Sequence, residues 1–179
     1  MVTQSFLTPA IVLKRTNIGE TDRIITFLTR LEGKMAIRAK GVRGALSKRR
    51  SHIELFNTAT IQVINGKAFS ILGQTELLAD RSFLKRDLKS LRIAYHLVEL
   101  VEKLLPEHQP QEDVFSLLDR ALSSIGMEQW SNEPWLITVF EDRLLTMLGY
   151  GTSAPHQDLE YLIEDLLGSP LTSRAILQN

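Results

Sequence analysis

Residues 34–40 read Lys-Met-Ala-Ile-Arg-Ala-Lys, and their alternation decides the fold. Successive side chains of an extended chain point to opposite faces. Lys34, Ala36, Arg38 and Lys40 therefore share one face, and Met35, Ile37 and Ala39 share the other. This is a strand with a basic side and a core side, and a one-residue slip would bury its cations. On its N-terminal side, Pro9 to Arg15 and Arg23 to Arg30 are short runs rich in Ile, Val, Thr and Phe. Asn17-Ile18-Gly19 and Glu32-Gly33 separate the three runs with residues typical of turns. On its C-terminal side, Ile53, Leu55, Ala59, Ile61 and Val63 keep one parity, and Asn65-Gly66 precedes Ala68 to Leu72 as in a tight hairpin. An open sheet of five short strands leaves edges exposed, whereas closure removes them. The expected fold class is therefore α+β, with a five-stranded antiparallel OB-fold barrel over residues 1–80 and an all-α helical domain over 81–179.

The helical period begins near Leu84, where Leu84, Leu88, Leu91, Tyr95 and Val98 step by three and four. Ala94, Leu97, Val101 and Leu104 widen the stripe, as expected for a helix buried on more than one side. Pro106 to Pro110 breaks the pattern. A second helix carries Val114, Leu117, Leu118, Ala121, Leu122 and Ile125 and closes at Gly126. Asn132 can cap a third helix whose inner face is Leu136, Ile137, Phe140, Leu144 and Leu148. A fourth holds Leu159, Leu162, Ile163 and Leu166 and ends before Gly168.

The 179-residue chain has no net charge, but its halves are electrostatic opposites. Residues 1–86 hold 15 Lys+Arg against 6 Asp+Glu, a net +9, and residues 87–179 hold 6 against 15, a net −9. Such asymmetry points to a polyanion partner for the first half. The cations concentrate in Lys34, Arg38 and Lys40, followed by Arg43, Lys48, Arg49 and Arg50 in the loop Gly41 to Arg50. Each cation set beside a phosphate releases condensed counterions, so these residues form the expected DNA-binding surface. Single-strand binders often stack bases on aromatic rings, yet residues 1–86 contain no Trp or Tyr. Of the five phenylalanines there, the inward parity of Ile53, Leu55, Ala59 and Ile61 places Phe56 outside, and it is the candidate for base stacking. The others read mostly as core, so capture of the backbone should dominate.

Catalysis has no visible machinery. The chain has no cysteine, which removes thiol nucleophiles, thiolate zinc sites and disulfides. His52, His96, His108 and His156 lack metal-ligand spacing, and no metal or other cofactor is implied. Gly41-Val-Arg-Gly44 imitates the GXXG loop of KH domains, but that loop joins two helices and here a strand precedes it. Glu32-Gly-Lys-Met35 lacks the upstream glycine and following Ser/Thr of a phosphate loop. Glu20-Thr-Asp-Arg23 reads as the opening of the second strand, its charges knitting the loop. Neither a secretory leader nor an apolar membrane-length run is present, so a cytoplasmic protein without membrane association is expected.

Several blocks together are more specific than any one of them. Ala10-Ile-Val-Leu-Lys14, Gly19-Glu-Thr-Asp-Arg23, Phe27-Leu-Thr-Arg30, Gly33-Lys34 and Ala39-Lys-Gly-Val-Arg43, with Ser47 after them, resemble the consecutive N-terminal signature of the RecO family of bacterial DNA repair proteins and recombination mediators. Phe140-Glu-Asp-Arg-Leu-Leu145, Leu148-Gly-Tyr-Gly151 and Leu167-Gly-Ser-Pro-Leu-Thr-Ser-Arg174 resemble the family's late helices. The resemblance implies an OB-fold plus helical domain that binds single- and double-stranded DNA and anneals complementary strands. It further implies a protein that helps load the recombinase RecA onto DNA coated by single-strand-binding protein. RecR and the acidic tail of single-strand-binding protein are the implied partners, and the nucleoid is the implied setting. Many members carry a cysteine-rich zinc-binding insert after the Gly-Tyr-Gly position, whereas Thr152 to Asp158 here leads directly toward the last helix. Arg120 and Arg143, cations on otherwise acidic helices, are candidates to receive the acidic tail, and helix-surface ion pairing is the alternative. A generic OB-fold binder of RNA or single-stranded DNA would explain the barrel and the charge, but not the sequence blocks.

Overall fold

The computed structural model describes residues 5–44, 49–125, 133–151 and 156–173; Lys48, Gly126 and Asn132 lie outside the described residues. The chain forms two compact units, the first comprising Met1–Arg81 with Leu105–Phe115 and the second Ser82–Leu104 with Ser116–Asn179.

In the first unit, β1 (Ser5–Ile18), β2 (Asp22–Thr29), β3 (Gly33–Ala39), β4 (Thr58–Ile64) and β5 (Ile71–Ala79) close into a barrel in the order β1-β2-β3-β5-β4. The long first strand makes closure possible. Its first half, Ser5–Ile11, pairs with β4, and Ala10–Ile18 pairs with β2, with a register shift between Val12 and Lys14. Four of the five seams are antiparallel, as expected, but β3 and β5 run parallel and meet at a single pairing, Arg38 with Ile71. The sheet is therefore mixed. Parallel strands need a crossover rather than a hairpin, and here residues 40–70, including β4, supply it. The alternation in β3 holds as read: Met35, Ile37 and Ala39 are buried, while Ala36 and Lys40 are exposed.

The Ile53 to Leu55 segment is not the start of the fourth strand. Arg49–His52 forms a short helix, α1, and a turn follows before β4 begins at Thr58. In that turn Phe56 adopts φ 76°, a left-handed conformation rare for a large side chain, and its ring is 0% exposed. The expectation that Phe56 stacks on bases is thus overturned: a parity continued across a turn pointed the ring outward, and the reversal turns it into the core. Phe56 N–H donates to Val12 O at 3.1 Å and Val12 N–H to Asn57 O at 3.0 Å, which fastens the turn to β1. Arg81, 1% exposed, closes the same corner. Its backbone N–H donates to Asn57 Oδ1 at 2.9 Å, and its guanidinium donates to Phe56 O at 3.0 Å and to Thr58 Oγ1. These bonds satisfy the Arg81 backbone N–H and one guanidinium nitrogen, and burial of such groups depends on partners of this kind.

Residues 105–115 belong to the barrel unit. His108 N–H donates to Lys34 O at 3.0 Å, and Glu107 makes a parallel bridge to Lys34. Arg30 Nε lies 3.0 Å from Glu112, and its guanidinium lies 5.6 Å from the centroid of Phe115. Gly33, at φ 72°, makes the approach possible, since a Cβ there would lie 1.9 Å from Gln109 O.

The second unit holds a 3₁₀ turn at Ser82–Lys85 and α2 (Leu88–Leu104), α4 (Glu133–Met147) and α5 (His156–Leu167), together with Ser116 onward of α3 (Glu112–Ser124). Ile93, Ala94, Leu97, Val98, Leu100 and Val101 of α2 are buried, the broad apolar face expected of a central helix. Buried among them, His96 lies 2.8 Å through Nε2 from Glu141 Oε1 and 3.0 Å through Nδ1 from Ser173 Oγ. Glu99 accepts from the backbone N–H groups of Thr172 and Ser173 at 2.8 and 2.7 Å. Together these bonds hold residues 172–173 against α2.

Candidate nucleic-acid interface

The cations of β3 and the following loop have unequal surroundings. Lys34 adjoins the 105–115 segment, where Glu107, Glu112 and Asp113 are acidic, so this end of the basic strip has its own counter-charge. Arg38 is ion-paired: its Nη2 and Nε lie 2.8 and 3.0 Å from Asp22 Oδ2. Asp22 Oδ1 also accepts from Gly41 N–H at 2.9 Å and from Thr21 Oγ1 at 3.0 Å. The charges of the second-strand opening do knit the loops here, Asp22 by these bonds and Arg23 by one to Asn17. Arg43 Nη1 donates to Gly19 O at 2.7 Å. Arg49 forks across the barrel's narrowest seam, donating to Leu72 O at 3.0 Å and Gly73 O at 3.3 Å from one nitrogen and to Lys40 O at 2.9 Å from the other. Those bonds make Arg49 a staple between β3 and β5, where a single strand pairing does the rest. Lys40 and Arg50 are exposed, Arg43 is half-buried, and Lys48 lies outside the described residues.

Two further arginines join them. Arg15 pairs across the sheet with Ile25 and Arg23 with Ala39, both of which are buried, so the arginines share the inner face at one mouth of the barrel. Arg15 Nη1 meets Glu54 at 2.6 Å, and Arg23 Nε donates to Asn17 Oδ1 at 3.0 Å. Arg23 Nη1 is buried with no hydrogen-bond partner among the described residues. Burial, and then the nearby charge of Arg15, make the Arg23 guanidinium less basic than usual; Arg50 and Arg43 add to this while Glu54 opposes it. With Arg15 and Arg23 at this mouth, and the charges of Arg43 and Arg50 reaching Arg23 against the single carboxylate of Glu54, the local field favours an anion. Sequence reasoning passed over Arg15 and Arg23 because each stands beside a core position of its strand, and only the pairing register brings them together.

Another missed residue is Phe69. Read from sequence as the interior of a strand, it lies in the six-residue loop 65–70 between β4 and β5 and is 60% exposed. Lys67 beside it is exposed too.

The depressed pKa values of two carboxylates give a directional test. Hydrogen bonds from Gly41 N–H and Arg38 hold Asp22 near 2, against an ordinary 3.8. At Glu99 burial works to raise the value, but bonds from Ser173, Lys103 and Thr172 outweigh it and hold the group at about 2, against 4.5. A carboxylate whose folded value is depressed stabilises fully above its unfolded value and loses that contribution as pH falls through the folded one. Both contributions are therefore complete at neutral pH and vanish on acidification from about pH 5 toward 2. Asp22→Asn is expected to lower the melting temperature at pH 7 and to flatten its fall across this window; an unaltered acid limb would exclude Asp22 as an anchor.

His96, Glu141 and Ser173 combine the residue types of a hydrolytic relay, and scattered sequence positions concealed the grouping. Each is 3% exposed, and the carboxylate and hydroxyl stand on the opposite ring nitrogens from those of a serine hydrolase. The set fastens the helical unit. With no cysteine in the chain, and no group of three or more His, Asp or Glu suited to a metal among the described residues, the residues present do not fit the zinc-binding insert associated with the resemblance. Among the described residues no helix is long and apolar enough to cross a membrane. Arg120 and Arg143 are both exposed, on α3 and α4.

A closed five-stranded sheet followed by helices is the arrangement implied by the sequence blocks, the parallel β3–β5 seam apart, and comparison with known proteins points to the same family. The family described as "Recombination protein O N terminal" matches residues 1–81, and "Recombination protein O C terminal" matches residues 85–156. The chain belongs to the RecO family. Among curated RecO relatives, "DNA repair protein RecO" of Symbiobacterium thermophilum is 35% identical over 143 residues, covering 80% of this chain and 56% of the relative. The protein of the same name from Thermoanaerobacter sp. is 31% identical over 144 residues, covering 80% and 57%. That of Moorella thermoacetica is 34% identical over 145 residues, covering 80% and 53%. The chain thus spans a little over half the length of these RecO proteins.

Proposed function

We propose that this RecO-family chain serves DNA repair by binding rather than by catalysis. It holds single- and double-stranded DNA by the phosphate backbone, leaves base edges free, and so anneals complementary strands. With RecR it helps load RecA onto single-stranded DNA coated by single-strand-binding protein, and the exposed Arg120 and Arg143 are its candidates to bind that protein's acidic tail. The observation that carries this reading is the sequence from Gly33 to Ile53, which contains no carboxylate, has Lys40 and Arg50 exposed, and whose Arg43 and Arg50 charges act on Arg23. In the single-strand mode each phosphate contact contributes about 0.7 to the slope of log affinity against log salt.

A binding series across salt concentrations tests the reading. A slope corresponding to several phosphates is expected, reduced by about 1.4 in the double variant Lys40→Gln, Arg50→Gln, which loses two contacts. A slope near zero, or one that the double variant leaves unchanged, would remove this surface as the DNA site. Annealing of complementary strands in the presence of single-strand-binding protein should fall in step with the slope.

A further inference from the structure

We infer that Phe69 is a base-stacking platform that gives the basic surface a preference for unpaired strands; this rests on the phosphate-binding reading above. Phe69 stands in the β4–β5 loop with 60% of its surface in water, although burial of a large apolar side chain is strongly favoured. A lone exposed apolar residue needs no explanation, but three observations set this one apart.

The loop is built around it. A Cβ at Gly66 would lie 2.3 Å from Phe69 O, so the glycine lets the backbone fold onto itself and present the ring rather than trail it. The loop is also joined to the cation strand: Arg38 N–H donates to Ser70 O at 2.9 Å, and Arg38 pairs with Ile71. Phe69 is therefore one residue from the carbonyl that touches β3, with Lys67 exposed on its other side. Finally, residues 55–75 contain no Asp or Glu, as residues 33–53 contain none. An aromatic ring with an exposed lysine two residues away, in a segment of chain without carboxylates, matches the chemistry of a nucleobase beside its phosphate, because every base offers a π-face and every linkage an anion. A paired base is already stacked on its neighbours, so the platform recognises single strands.

The test compares the full chain with Phe69→Ala, Phe69→Leu and Phe69→Tyr, using single- and double-stranded oligonucleotides of equal phosphate number and a single-stranded probe containing 2-aminopurine. Phe69→Ala and Phe69→Leu should each lose roughly tenfold in single-strand affinity, with duplex affinity and salt slope unchanged. Phe69→Tyr should retain binding. Fluorescence of the 2-aminopurine probe should change on binding the native chain and not on binding Phe69→Leu. If Phe69→Leu binds single strands as the native chain does, or if single and double strands weaken alike, the stacking role is wrong. In the first case a salt slope still lowered by Lys40→Gln, Arg50→Gln leaves phosphate binding standing. A slope unmoved by that charge variant overturns phosphate binding itself, whatever Phe69 does.

Discussion

Phe56→Ala is expected to destabilise the barrel by about 3–5 kcal/mol, the range for emptying a buried aromatic site. The ring is fully buried, and its backbone bonds to Val12 and Arg81 hold the turn in place, so the surroundings have little freedom to collapse into the space. For a chain of this size, a loss of that order lowers the melting temperature by on the order of 10 °C. The left-handed φ of 76° adds a finer expectation. Alanine inherits the strain while losing the ring, whereas glycine loses the ring and escapes about 1 kcal/mol of strain. Phe56→Gly should therefore be no less stable than Phe56→Ala, the reverse of the order normal in regular structure, and thermal unfolding of the pair reads this directly. DNA affinity measured well below the transition should be unchanged in both, because the ring faces the core.

Gly33→Ala should have an effect of similar size for a different reason. The new methyl would stand 1.9 Å from Gln109 O, and alanine at φ 72° is itself strained. Backbone on both sides leaves no flexible side chain to give way, so residues 107–109 must leave β3, losing the bond from His108 N–H to Lys34 O. A cost of about 3 kcal/mol follows. Because the displaced segment carries Glu107, the variant should also expose Lys34 more fully. Weakened folding with DNA affinity maintained or raised is the expected pairing, read by thermal unfolding and a binding isotherm at one salt concentration. Unchanged stability would mean that the 105–115 return is not seated on this strand.

The parts of the fold legible in the sequence were those governed by a local period. β3 shows its two faces over seven residues and turn residues mark the end of β2, whereas β1 runs from Ser5 to Ile18, past the Pro9 to Arg15 run and through Asn17-Ile18, which the sequence offered as a turn. The buried stripe of α2 was legible because packing sets its period, although Leu88 and Tyr95, included in that stripe, are exposed. Parity failed where the chain stopped being a strand without changing composition. Ile53 and Leu55 are buried in a turn, so their spacing from Ile61 was coincidental and misplaced Phe56. Asn65-Gly66 suggested a two-residue turn where six residues intervene, so the apolar Ala68 and Phe69 were assigned to a strand that begins at Ile71. Of the basic surface, the sequence displayed the cations but not their commitments. That Asp22 occupies Arg38, that carbonyls from both sides of a seam occupy Arg49, and that Arg15 and Arg23 converge are all consequences of pairing between distant strands.

The first unit is discontinuous along the chain, and this orders its birth. A protein emerging from the ribosome folds from its N-terminus as segments become available, yet the barrel's last piece, Leu105–Phe115, is made only after the whole of α2. Until then Gly33 and Lys34 lie at an edge whose backbone partners do not yet exist, the kind of edge that invites pairing with a stranger. A fragment cut at the end of β5 would keep that nascent state permanently.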